Sequence, residues 1–276
     1  MKEELRLLLS YAYHADVQRV VDLANVQSSV IKTRIIIDSG AFTAHTLGKE
    51  ITLEEYTNFV RQVGPFTEWQ VQLDVIGDQD ATIRNWEKQL ALGVNVVPVL
   101  TYGATREQID YVVAREDRLI CVGGLVVRGR TLGQKLAFLK FVMDRIRAHG
   151  KQTKIHALGM NSEHAFAMGV YSADSSEYIS IQKFRTVKDM TAFGKTGIRA
   201  KTTKVAYATE IGLEDCDARE RGALGMLKLI QMEKIYRRKY RMDGPFGEGP
   251  IFWHAAIGNM DYFRDVIENL ERALHV

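Results

Sequence analysis

The sequence predicts an α/β fold built on a parallel sheet, and three observations predict it. Short runs of near-continuous Val, Ile and Leu recur along the first two-thirds of the chain, as strands covered on both faces require. Amphipathic stretches with cap signals separate those runs. Aspartates and glycines gather directly after the apolar runs, at the strand ends where parallel α/β proteins collect their function.

The strands are expected at Arg6 to Tyr13, Arg34 to Ile37, Trp69 to Leu73, Asn95 to Leu100, Leu119 to Val122, Thr153 to Ala157 and Val170 to Ala173, with Tyr178 to Ile181 a further candidate. Helices are expected between them. Thr52 with Glu55 reads as a capping box, and Leu53, Tyr56, Phe59, Val60 and Val63 form the apolar face that follows. Others run from Asp80 to Leu92, Arg106 to Ala114, Leu132 to His149 and Ser162 to Met168, with Gly93 and Gly150 just past helix ends. Roughly eight strands in about 180 residues suit a (β/α)8 barrel. A doubly wound sheet competes, and periodicity does not separate the two. Residues 183–216 read as a basic excursion, followed by C-terminal helices over Asp217 to Arg241 and Asn259 to Leu274, with Phe252-Trp253 packing the last helix against the barrel. The whole is read as a single domain.

Composition narrows the function classes. The chain has 276 residues, 46% hydrophobic and 26% charged, with 22 Gly and 4 Pro, which excludes disordered and collagen-like classes. Cys121 and Cys216 cannot alone make a disulfide framework or a four-ligand zinc site. The opening MKEELRLLLSYAY does not read as a signal peptide, no apolar run is long enough to span a bilayer, and a reduced cytoplasmic setting is expected. The net charge of +3 decides little, but its distribution is uneven: seven cations face the single acid Asp189 between Lys183 and Lys204. A second cluster is Lys234, Arg237, Arg238, Lys239 and Arg241. That pattern suits a polyanion.

At the strand ends stand Asp38-Ser39-Gly40-Ala41-Phe42, Asp74, Thr101-Tyr102-Gly103, Gly123-Gly124-Leu125, His156 with Gly159, and Asp174-Ser175-Ser176. A single aspartate there serves as a helix N-cap as readily as a catalytic group. Three of them, with a double glycine between, point to an active site. No HxH, HExxH or clustered Cys/His spacing supports a metal, and no P-loop or dinucleotide fingerprint is present.

These segments resemble a known family. Asp38-Ser39-Gly40-Ala41-Phe42 resembles the DSGGF element of tRNA-guanine transglycosylases, Val122-Gly123-Gly124-Leu125 their LGGL element, and Gly169 to Ser175 the GVDMFDC segment that carries their nucleophilic aspartate. The three lie in order over about residues 35 to 180. Trp86, Pro98 and the Asp-Ser-Ser ending resemble more nearly the phage and bacterial deazapurine DNA transglycosylases. The resemblance implies a (β/α)8 barrel and guanine exchange for a 7-deazaguanine in nucleic acid, DNA rather than tRNA. Asp174 would be the nucleophile and Asp38 the general acid/base. Asp74, Ser39, Phe42, Tyr102, Gly123, Gly124 and Leu125 would bind the base. The zinc of the tRNA enzymes is held by three cysteines and a histidine, whereas Cys216 stands alone in that region, so no metal or other cofactor is expected. The glutamine that reads the purine carbonyl has no counterpart in Val99 to Gly103, where Tyr102 could stand in.

The chemistry holds together apart from the resemblance. A carboxylate is a competent nucleophile at an oxocarbenium-like sugar centre, a leaving purine needs a proton, and glycines let backbone approach a flat ring. Lys183, Arg185, Arg199, Lys201 and Lys204 are read as nucleic-acid backbone contacts. The alternatives are a tRNA-modifying enzyme, a non-catalytic nucleic-acid-binding barrel, and a barrel enzyme on phosphorylated metabolites.

Overall fold

The structure is a computed structural model that describes residues 2–26, 28–127, 129–160, 162–176, 179, 218–240, 249–256 and 260–275. Eight strands form one sheet: β1 (Glu3–Ser10), β2 (Ile31–Asp38), β3 (Trp69–Gln70), β4 (Val99–Thr101), β5 (Leu119–Gly123), β6 (Lys154–Ala157), β7 (Ser172–Ser175) and β8 (Ile251–Ala256). The helices between and after them are α1 (Val17–Ala24), α2 (Ala41–Thr46), α3 (Leu53–Val63), α4 (Gln79–Ala91), α5 (Arg106–Arg115), α6 (Leu132–Ala148), α7 (Glu163–Met168), α8 (Ala218–Lys239) and α9 (Met260–His275).

The sheet order is β3-β2-β1-β8-β7-β6-β5-β4, with every registered pair parallel. Apart from β3 and β4, which stand at the two ends of the order, each strand lies beside its neighbours in the chain, and the order runs on past β8 to β1 without reversing, which excludes the doubly wound alternative. The sheet is curled. Its two outermost strands approach where Val71 and Val97 form a parallel bridge, with Val97 N–H donating to Gln70 O at 2.8 Å and Gln72 N–H to Val97 O at 3.0 Å.

Side chains alternate between faces of a strand, and the curl turns that alternation into two cores. Leu8, Ile36, Val99, Cys121, Tyr171 and Trp253 belong to one buried cluster on the inner face. Leu7, Leu9, Ile35, Ile37, Ile120 and Val122 point the other way, into the layer beneath the helices. Caps set the helix starts: Thr52 accepts from Glu55 N–H, Asp78 from Ala81 N–H, and Thr105 and Thr131 close capping boxes with Gln108 and Gln134.

Several expectations need correction. The eighth strand is Ile251–Ala256, not Tyr178 to Ile181, of which only Ile179 is described. The segment containing Phe252-Trp253 is therefore part of the sheet, and α8 precedes β8 in the chain instead of trailing the sheet. The first strand begins at Glu3 and ends at Ser10; Tyr13 N–H turns back onto Ser10 O at 3.0 Å, and α1 follows. The fourth strand starts only at Val99, because Pro98 offers no N–H to a ladder. Glu55 answers Thr52 through its carboxylate on the hydroxyl, at 2.7 Å, instead of through the Thr52 backbone.

The charged start of β1 is explained by a buried partner. Arg6 pairs with Glu4 and with Glu233 of α8, and the Arg6 and Glu233 side chains are each 8% exposed. Glu233 also accepts from Phe252 N–H at 2.8 Å and lies 3.3 Å from Arg237, so one carboxylate joins α8, β1 and β8. Arg34 extends the network to Glu4 and Glu68. Removing one partner of a buried pair strands the other charge. Glu233→Ala is accordingly expected to lower unfolding free energy by about 3 kcal/mol, read by chemical denaturation, with Glu233→Gln recovering part through the Phe252 bond. Among the described residues, no helix is long and apolar enough to cross a membrane.

Candidate active site

The three aspartates converge. Asp38, Asp74 and Asp174 line one cavity of about 430 Å³ at the C-terminal ends of the strands, with Tyr102, Gly123, Gly124 and Phe42 on its walls. A second cavity, of about 330 Å³, opens at the other end of the sheet among Glu4, Arg6, Arg34 and Glu68. Its charges are paired with one another, and it belongs to the ionic network already described.

The helix-cap reading fails for the first two aspartates. The N-cap of α2 is Gly40 and that of α4 is Asp78. Asp38 ends β2 opposite Ser10 of β1, and its Oδ2 accepts from Gly40 N–H at 2.9 Å. Gly40 must be glycine: its φ is +71°, and a Cβ would lie 2.3 Å from Ser10 Oγ and 2.6 Å from Ala12 Cβ. Asp74 follows β3, and its Oδ1 accepts from Ser39 Oγ at 2.9 Å.

The electrostatics set these carboxyls apart. Asp38 and Asp74 keep a part of their surface open to the cavity yet sit deep within the protein. Burial, then the charges of Asp74 and Asp174, push the Asp38 carboxyl up to about 7, against the opposing pull of the Gly40 and Ser39 N–H groups. Burial also raises Asp74, while its bond from Ser39 lowers it. A carboxyl poised near neutrality can both give and take a proton.

Asp174 lies inside β7, which starts and ends two residues later than expected, and is 7% exposed. Its Oδ1 accepts from Gly159 N–H at 2.7 Å. His156 Nε2 stands 3.3 Å from the same oxygen but without hydrogen-bond alignment, so that buried nitrogen has no hydrogen-bonded partner among the described residues. His156 Nδ1 meets Ser172 Oγ at 2.8 Å. No hydrogen bond engages Oδ2 among the described residues, and Asp174 lines the cavity. His156 is fully buried behind Asp174 and does not line the cavity.

Two expected base-binding residues are placed differently. Ser39 is fully buried and holds Asp74 instead of lining the cavity. Leu125 is likewise fully buried and packs in the core beneath the helices. Gly124 does line the cavity, with φ +70° and Tyr102 Cβ only 3.3 Å from where its own Cβ would be. Phe42 is 48% exposed at the mouth, joined there by Tyr13, also 48% exposed. Tyr102 packs at 5.0 Å against Phe138.

Three contributors carry no assigned role in the sequence. Gly159 is legible as a strand end, but its bond to Asp174 depends on the pairing of β6 with β7. Tyr13 reads as the end of the first strand, and only the turn after Ser10 brings it to the mouth. Arg130 lies in no motif, yet it lines the cavity, donates to Gly124 O and stands with its guanidinium 4.1 Å above the Tyr102 ring.

Lys183, Arg185, Arg199, Lys201 and Lys204 lie outside the described residues, as does Cys216. In the second basic cluster Arg237 bonds Pro250 O and Lys239 pairs with Glu163, so those two cations brace α8. Cys121 is buried on the inner face of the sheet, as a core residue. Among the described residues no group of three or more His, Cys, Asp or Glu is arranged to hold a metal ion. No family model matches the chain, and a search of curated proteins gives no match.

Proposed function

We propose that this chain is a nucleobase transglycosylase that exchanges guanine in DNA for a 7-deazaguanine base through a covalent aspartyl-nucleotide intermediate. The observation that carries the reading is the meeting of Asp38, Asp74 and Asp174 in one cavity, with one carboxyl raised to about 7 and another held, among the described residues, through one oxygen. The curled sheet is read as a (β/α)8 TIM-like barrel, supported by the Val71–Val97 bridge and by an inner cluster that unites strands from both ends of the sheet order.

In this reading Asp174 Oδ2 attacks C1′ of the sugar. The C1′–N9 bond breaks, its electron pair goes to the departing guanine, and protonated Asp38 supplies the proton. The incoming base then gives a proton to the Asp38 carboxylate, its ring nitrogen attacks C1′, and the aspartyl ester bond breaks to regenerate Asp174. Asp74, fixed by Ser39, accepts from the donor N–H groups of the purine. A duplex substrate must extrude its target nucleotide to reach the cavity, and Tyr13 and Phe42 at the mouth offer rings for stacking.

The test is to incubate the protein with DNA and with tRNA separately, each with labelled guanine or a 7-deazaguanine, and to weigh the nucleosides after digestion. Label entering DNA is the expected result. Label entering tRNA alone would move the reading to the tRNA-modifying enzymes, and label in neither would overturn base exchange.

A further inference from the structure

The cavity is electrically lopsided. Three carboxyls enter from β2, β3 and β7, whereas Arg130 is the one cation among the described residues that line it. Arg130 is half-buried, and its place is fixed twice, by donation to Gly124 O and by stacking over the Tyr102 ring at 4.1 Å. A guanidinium has five N–H donors in a rigid plane. Gly124 O takes up one edge, and no other hydrogen-bond acceptor meets Arg130 among the described residues. A flat donor fork, held against a glycine wall and an aromatic ring, shares with three carboxyls a cavity otherwise walled largely by apolar side chains such as Leu8, Ile76 and Leu158.

We infer that Arg130 is a specificity-determining residue that reads the acceptor edge of the bound purine: O6 of either base, and N7 of the outgoing guanine, which the incoming 7-deazaguanine lacks. The inference rests on the proposed purine reading and deepens it. Guanine presents donors on N1 and N2 and acceptors on O6 and N7, so a ring with donors toward Asp74 and acceptors toward Arg130 satisfies both ends of the cavity. Arginine is the side chain whose fork matches O6 and N7 together. Tyr102, placed beneath the guanidinium, positions this reader.

The test compares binding of guanine, 2-aminopurine (which lacks O6) and 7-deazaguanine (which lacks N7) by calorimetry. Wild type is expected to prefer guanine over 2-aminopurine by about tenfold or more, with 7-deazaguanine between them. In Arg130→Ala that preference should fall to within about threefold. Arg130→Lys keeps the charge and the stem but loses the fork, so it should lose most of the O6 preference while keeping its thermal midpoint. If either folded variant retains the wild-type preference, Arg130 only braces the Gly124 turn and the inference is overturned. If wild type binds none of the three purines, the proposed function fails as well. If wild type binds all three without discrimination, the inference alone fails.

Discussion

Asp174→Asn is expected to lower base exchange by at least about 10⁴-fold, the scale on which loss of a nucleophile is felt, and to abolish the covalent adduct. An amide cannot form the ester with C1′, however well it is placed. The substitution should leave the fold intact, because the Asn Oδ1 can still accept from Gly159 N–H, and stability should stay within about 1 kcal/mol of wild type. The measurement is single-turnover guanine release together with trapping of a protein–nucleic-acid adduct on a denaturing gel. An adduct formed by the variant would remove Asp174 from the nucleophile's place.

The second large effect concerns Asp38 and has a defined sign. Its carboxyl stands at about 7 in the folded protein against an ordinary value of 3.8. Between those values the native state holds a proton that the unfolded chain has released, so the native state is favoured at low pH. The associated stability is complete below about 3.8 and is lost as pH rises through about 7. Asp38→Asn carries no such proton. At pH 8 the variant should be the more stable protein by up to about 4 kcal/mol, less whatever water in the cavity screens. Near pH 4 the two should converge. Asp74 is raised in the same direction, and its charge is one of those that raise Asp38, so removing the Asp38 carboxylate relieves that mutual repulsion and acts in the same sense at high pH. Exchange should meanwhile slow by about 10²–10⁴-fold as the proton donor disappears. Denaturant unfolding at pH 4, 6 and 8 reads the stability. A difference that does not change with pH would show that the Asp38 carboxyl binds its proton no more tightly in the folded protein than in the unfolded chain. A variant stabler and slower at once is what a site built against folding stability produces.

Much of the frame is legible in the sequence because strands buried on both faces need continuous aliphatic residues, and β1, β2 and β5 have them. β8 lacks that signal. Its sequence, Ile251-Phe252-Trp253-His254-Ala255-Ala256, has a single branched aliphatic residue, and its burial is supplied by aromatic packing: Phe252 lies 5.0 Å from Phe166, and Trp253 is 5.9 Å from Trp69. Arg6 likewise reads as a poor strand residue until Glu233, more than two hundred positions away, supplies its partner. The three aspartates are legible because each follows an apolar run. Ser39 and Leu125 depart from expectation because adjacency to a motif does not say which face a side chain takes. Arg130 is invisible for the opposite reason: it is brought to the cavity by the loop after β5, and its value comes from Tyr102 and Gly124, which only the fold places beside it.

The sheet order also governs when the molecule can be finished during synthesis. β8 lies between β1 and β7, so β1 waits for a strand made more than two hundred residues later, and Leu9 finds Ala256 beside it only after that strand exists. A ribosome releasing this chain exposes an unfilled slot along β1 until residues 251–256 emerge. Pairings of such long sequence separation are slow to form, and that open slot is where a nascent chain of this kind is most vulnerable to joining another.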